Sequence, residues 1–350
     1  MTAPALDHGH RVVAVRVGRV SALLGLRSIV VGTLLVAATL GTAVLALRTG
    51  TYELTASEVV EALLGTGDSQ AARLVVVEWR LPRVLFAVAC GAALALSGAI
   101  FQSLTRNPLG SPDIIGFGAG SHTGALVVML ALGSTRYLDI AAGALLGGCA
   151  TALLVYLLAV HRGSVQPFRL IIMGIGVGAL LGSLNSWLML TVDVESAMLA
   201  AVWAAGSFNA LGHEQLWPMV GVLAVLLALL ALVAGGLRQL ELGDDAARSL
   251  GLRAERVRAA AVVLGVALTA LVTAAAGPIT FVALAAPQIA RRLVRGNGLV
   301  LLPSALVGAF VLLVADVVAQ QVGFPVGVVT VCVGGAYLAW LLATEFRRTR

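Results

Sequence analysis

Asp316 is the one acid that sits well inside an apolar run of this 350-residue chain, with Gln320 and Gln321 a turn further on. A carboxylate buried in lipid relays a proton, coordinates an ion or pairs with a neighbouring helix. An ion-coupled carrier needs several such groups along a path. One is thin support, and a hydrogen bond between helices is the plainer expectation. Other chemistry is excluded by what the chain lacks. All 23 basic residues are Arg. Without Lys there is neither a Walker-type phosphate loop nor a lysine Schiff base, so if ATP drives this protein, another chain binds it. "GFGAGSHTG" (116–124) is rich in Gly, but no strand precedes it, and a phosphate or dinucleotide loop needs that context. "HRGSV" (161–165) and other Ser/His pieces form no hydrolytic triad at a usable spacing, and an intramembrane enzyme lacks its paired ionisable groups. Cys90, Cys149 and Cys332 each lie in an apolar run without a Cys or His at metal-ligand spacing. They read as small packing residues, and no disulfide or metal site follows.

Two charged segments carry binding chemistry instead. "EWRLPRV" places Arg80 and Arg83 at the start of an apolar run, where they either snorkel to the interface or pair with carboxylates of a docking protein. "RQLELGDDAARSLGLRAERVR" (238–258) reads as a connection containing a short helix bracketed by Gly243 and Gly251. Asp244 and Asp245 fall in its first turn, where they favour the helix dipole. Leu242, Ala246, Leu250 and Leu252 leave an apolar face, which is either part of a solvated loop or a docking element for a partner.

Two further stretches share a grammar. In "FQSLTRNPLGSPDIIGFGAG" (101–120) and "AAAGPITFVALAAPQIARRLVRG" (274–296), a helix ends, Gly and Pro break it, and a short apolar segment follows. Broken backbone at membrane depth is tolerated where it faces protein or a water-filled path, and a pair in comparable places of two halves marks a transporter repeat. Gln102, Asn107, Pro108 and Gln288 are the candidate path residues; Gln102 and Asn107 either line a path or satisfy freed backbone groups.

The elements that hold these residues are membrane helices. The chain is 59% hydrophobic and 11% charged, with mean hydropathy +1.00, against about 25% charged residues in soluble domains. Apolar runs long enough for a bilayer occur at 28–47, 84–104, 138–160, 170–190, 216–236, 257–276, 299–320 and 324–343. Two shorter ones, at about 114–133 and 278–290, bring the expected crossings to ten. The piece 197–211 is too short to span and reads as an interfacial helix. Pairs of Gly four apart (120/124, 174/178, 178/182) predict close helix packing. With the N-terminus inside, 18 arginines fall inside and 5 outside, the expected positive-inside bias. This yields a cytoplasmic tail at 1–27, a ten-helix domain at 28–345 with the cytoplasmic segment 238–258, and a cytoplasmic tail at 346–350. The first run follows basic residues but is long and lacks a small-residue cleavage site, so it is kept as a helix. A pI near 10 does not imply nucleic acid, since the arginines lie scattered at the ends of apolar runs.

The motifs carry a resemblance. "RLPRVLFAVACGAALALSGAIFQSLTRNPLGSPDIIGF", "GPITFVALAAPQIARRLV", "ADVVAQ" with "PVGVVT", "LGDDAARSLGL" and "VWAAGSFNAL" resemble, in order, the signatures of the FecCD-type iron-siderophore permeases of ABC importers. The resemblance covers roughly residues 50–345 and is strongest to catecholate (ferric enterobactin) permeases. It implies an all-α polytopic membrane protein of type II ABC importer permease architecture with about ten transmembrane helices, in a bacterial plasma membrane with both termini cytoplasmic. It implies alternating access for a ferric siderophore, no catalysis and no cofactor in this chain, and ATP with Mg bound by two partner ATPase subunits. A second permease subunit and an extracytoplasmic siderophore-binding protein are the other partners. Arg80 and Arg83 match the arginines that grip the binding protein, and Leu242, Gly243, Asp244, Asp245, Ala246, Leu250 and Gly251 match the coupling segment that docks the ATPase. The chain departs from the pattern at Ala283 (usually Gly), Gln288 (usually His), Gln320 (usually basic) and in "GFPVG", which fits a heterodimer with a different second permease. An ion-coupled secondary transporter is the alternative.

Overall fold

The computed structural model describes residues 12–17, 20–113, 116–161, 164–165, 167–209, 211–296 and 298–348. Arg11, Arg19, Arg162 and Arg350, counted above in the inside set, lie outside the described residues. The helices in chain order are α1 Leu26–Arg48, α2 Ala56–Leu64, α3 Gln70–Thr105, α4 Phe117–Ala131, α5 Tyr137–Ala159, α6 Pro167–Thr191, α7 Val194–Ala204, α8 His213–Leu240, α9 Asp244–Ser249, α10 Ala254–Ala276, α11 Val282–Val294, α12 Leu301–Val322 and α13 Val326–Arg348. Two hairpins, Val12–Val17 with Val20–Gly25 and Val160–His161 with Ser164–Val165, are the sheet found among the described residues. Seven helices are long and apolar enough to cross a membrane: α1, α3, α5, α6, α8, α10 and α12. The segment Phe117–Ala131 and the stretch Val326–Trp340 of α13 are apolar but shorter.

Burial sorts these helices. In α3, 78% of the most apolar window is buried and in α10 67%, against 11% in α1 and 17% in α8. The core helix α3 packs on α8, α10, α11 and α12, with α1 outside α12 and α5 outside α4. The crossing points are made by glycine. A Cβ at Gly91 would run into the Gly308 backbone of α12, and one at Gly124 into Gly143 of α5. Small residues let backbones touch where lipid offers no hydrophobic drive. The pair 120/124 expected from spacing does pack closely, and a Cβ at Gly178 would come within 3.0 Å of Gly116 Cα, whereas one at Gly182 would meet nothing within 4 Å.

Four expectations are corrected. Helix α3 starts at Gln70, not near residue 84, and runs 36 residues with a π-helical segment at Leu74–Arg80. At ~1.5 Å per residue it outruns a ~30 Å hydrocarbon core, so Arg80 and Arg83 sit within a continuous helix and not at its start. The interfacial helix ends at Ala204, and the following segment turns inward, with Phe208 buried and stacked on Phe86 at 6.3 Å. Of the three cysteines only Cys90 is a buried packing residue; Cys149 and Cys332 are exposed on faces of α5 and α13. Leu252 packs against the core and does not share the exposed face of Leu242 and Leu250.

Candidate functional site

The polar residues gather at three places. At one end of the bundle, Arg83 donates from Nε to Asp316 Oδ1 and Oδ2 (3.1 and 2.9 Å) and from Nη2 to Oδ1 (2.9 Å), while Nη1 reaches Asn209 Oδ1 at 2.7 Å. Gln320 Nε2 donates to the same carboxylate at 2.9 Å. Asp316 is fully buried. It is therefore the hydrogen-bonded partner that its position called for, and the one feature favouring an ion-coupled carrier is occupied by an arginine. Arg80 donates to the carbonyls of Leu47 (2.8 Å) and Tyr52 (2.6 Å) and lies against Gly50, so it ties the turn after α1 to α3.

At the opposite end, the two broken stretches meet. Pro287 gives no N–H to the Ala283 carbonyl. That carbonyl faces Gly98 of α3, where a Cβ would overlap it. One turn on, Gln102 is buried and its Nε2 donates to Leu284 O at 2.9 Å; its Oε1 accepts from Gln288 Nε2 at 3.3 Å and from Arg291 Nη2. Gln288 Nε2 also donates to Pro108 O at 2.6 Å, and Asn107 Oδ1 accepts from Leu109 N at 2.9 Å. Both glutamines and Asn107 thus bond backbone groups in and beside the two breaks. Nearby, Gly243 (φ 103) and Gly251 (φ 82) turn the chain into and out of α9 in the left-handed region. Leu242 and Leu250 point outward at 66% and 64% exposure, Ala246 is exposed and Ala247 is buried against the bundle.

Between these ends lies a cavity of about 680 Å³, bounded by α4, α6 and the break between α10 and α11. Asp113, His122, Asn185, Ser186, Thr273 and Thr280 are its polar lining, with Gly182 leaving it open on the α6 side. Asp113 Oδ2 accepts from Phe281 N at 3.3 Å, and Asn185 is held by Thr123 (2.7 Å) and Ala119 O (3.3 Å). His122 Nε2 is buried without a hydrogen-bond partner among the described residues. Sequence reasoning missed this lining because His122 and Asn185 are single polar residues in Gly-rich helices; only their packing from separate segments brings them to one space. The signal present was the break at Gly277–Pro278 itself.

Residues 34–344 match the FecCD transport family. The chain is 47% identical over 326 residues, 92% of its length and 98% of the relative's, to the ferric enterobactin transport system permease protein FepG of Escherichia coli. It is 34% identical to the achromobactin permease CbrC of Dickeya dadantii, covering 97% and 98% of the two chains, and 33% identical to the Fe(3+)-citrate import permease YfmE of Bacillus subtilis, covering 87% and 92%. Among solved structures, one assigned to the metal-chelate type of ABC transporter, in an inward-facing conformation, superposes with a TM-score of 0.78 at 29% identity, covering 90% of this chain and 99% of that one.

Proposed function

Because the chain belongs to the FecCD transport family, we propose that it is the membrane-spanning permease subunit of an ATP-driven importer of ferric siderophores. The observation that carries this reading is end-to-end similarity to permeases whose cargoes are ferric chelates, with ferric enterobactin that of the most similar relative described above. The chain performs no covalent step. It lines a route, and partner ATPases bind ATP and Mg. Ten crossings follow if α4, α11 and α13 also span, with both termini on the arginine-rich side. The exposed Leu242, Ala246, Leu250 and Asp245 near α9 face the ATPase, and Gly243 and Gly251 shape that segment. The end holding Arg80 and Arg83 receives the external binding protein. The cavity beside His122 and Asn185 is this chain's share of the path in the present conformation, while the Gln102–Gln288–Pro108 knot, with Asn107 beside it, ties the two broken stretches together at one end of that path. A second, different permease chain completes the route, consistent with Gln288 and Gln320 standing where the family pattern has ionisable residues.

Reconstitution tests the reading. Proteoliposomes holding this chain, its permease partner and the ATPase should take up ferric enterobactin from its binding protein only with ATP inside. Uptake by the purified chain alone under an ion gradient would overturn it.

A further inference from the structure

The two acids that open α9 are neighbours in sequence and opposites in circumstance. Asp245 is fully exposed, and Arg248 reaches it only at 3.9 Å. Asp244 receives Arg258 Nη2 on both oxygens, at 2.9 and 3.0 Å, and Arg106 Nη2 on Oδ1 at 3.4 Å. Arg258 is itself only 8% exposed, and its Nη1 donates to Glu255 at 2.7 Å. Arg106 is the left-handed cap of α3 (φ 49) and reaches Leu240 O at 3.5 Å. One carboxylate therefore joins α9 to the end of α3, where the first broken stretch begins, and to the start of α10, which leads to the second. Apolar packing does little of this work. Only Ala247 of α9 is buried, and a cavity of about 120 Å³ lies among Ser103, Leu104, Arg106, Leu240, Asp244 and Arg258.

We propose that Asp244 is the positioning residue through which a displacement of α9 is passed to α3 and α10, while Asp245, Leu242 and Leu250 on the outer side make the partner contact. The proposal rests on the permease reading above. Charge-assisted, two-oxygen pairing fixes direction as well as distance, which a six-residue helix seated on one alanine cannot do by packing.

The test uses the assembled complex in proteoliposomes with ferric enterobactin as the probe, scoring ATPase co-purification, ATP hydrolysis and uptake separately. D244N should keep the ATPase and its hydrolysis but lower uptake per ATP by about tenfold, the scale of a lost coupling contact. The swap D244R/R258D should recover part of that ratio. D245N should do the reverse, weakening ATPase retention with the ratio unchanged. R106Q, which leaves the Arg258 pair intact, covers the case of a misfolded D244N and should lower the ratio by a smaller factor. An unchanged ratio in D244N, or in R106Q where D244N does not fold, would overturn the proposal. So would loss of the ATPase from D244N complexes that are otherwise folded. Failure of the unmodified complex to import the chelate with ATP would instead count against the permease reading.

Discussion

Arg83 and Asp316 form the most demanding pair in the molecule, because the carboxylate is fully buried and the arginine side chain only 19% exposed. Removing one partner of such a pair leaves the other charge uncompensated, at a cost of about 3–5 kcal/mol, whereas replacing both with apolar groups costs much less. Asp316→Asn is therefore expected to lower the midpoint of thermal unfolding in detergent, and the double change Arg83→Leu with Asp316→Leu to lower it less. A midpoint unmoved by Asp316→Asn would show that the pair carries no stability. The partnership itself was half legible. The sequence marks Asp316 as an acid in lipid that needs a partner, but nothing in spacing joins it to an arginine 233 positions away. Arg80 differs, since its partners are carbonyls and not a carboxylate. Charge reversal there should weaken capture of the binding protein, with a larger loss at low salt, where pairing is least screened.

Among the elements, the helix crossings rest on missing side chains. Gly98→Ala is expected to destabilise by about 1–3 kcal/mol, the range for overpacking, because the new methyl meets the backbone carbonyl of Ala283. Gly41→Ala and Gly221→Ala, where a Cβ would meet nothing within 4 Å, should leave the midpoint unchanged or raise it slightly by the same thermal assay, since Ala is the better helix former. Helix α2 tests the solvent side. Thr55 and Glu58 form a capping box, and hydrogen bonds from the Thr55 backbone and hydroxyl hold the Glu58 carboxyl below its usual value. Since the folded group is the more acidic, its contribution is present above the ordinary glutamate range and is lost as pH falls through the lowered value. Amide protection in α2, taken relative to the intrinsic exchange rate at each pH, should fall over that acidic window, and in Glu58→Ala it should be lower than in the parent above the window and lose this pH dependence. Most helices were legible from apolar length alone. The start of α3 was not, since "QAARLVVVEWR" mixes charge into an apolar run, and its continuation as helix depends on packing under α2 and α1. The inward turn of Phe208 was hidden for the same reason: apolar residues after α7 look alike whether they meet lipid or the Phe86 ring.

For the whole molecule, the family matched along 34–344 makes this chain one part of an assembly, and its isolated form should bind no nucleotide and move no chelate; ATP binding to the purified chain, by equilibrium dialysis, would contradict that. One feature of the fold bears on how the assembly moves. At the Arg83 end, Gly206, Gly277 and Gly327 bring three chain segments together backbone to backbone: Ser207 N donates to Ala276 O at 2.8 Å and Gly327 N to Gly206 O at 3.0 Å, while a Cβ at Gly206 would strike Pro278 O. Among the described residues the closest contacts there are between backbone atoms, with the Ile279 side chain beside Gly206. The ends of α7 and α10 and the start of α13 are thus welded into a plate. Opening toward that side should then carry this plate as a unit, as a door leaf swings on its frame, with little bending within the leaf.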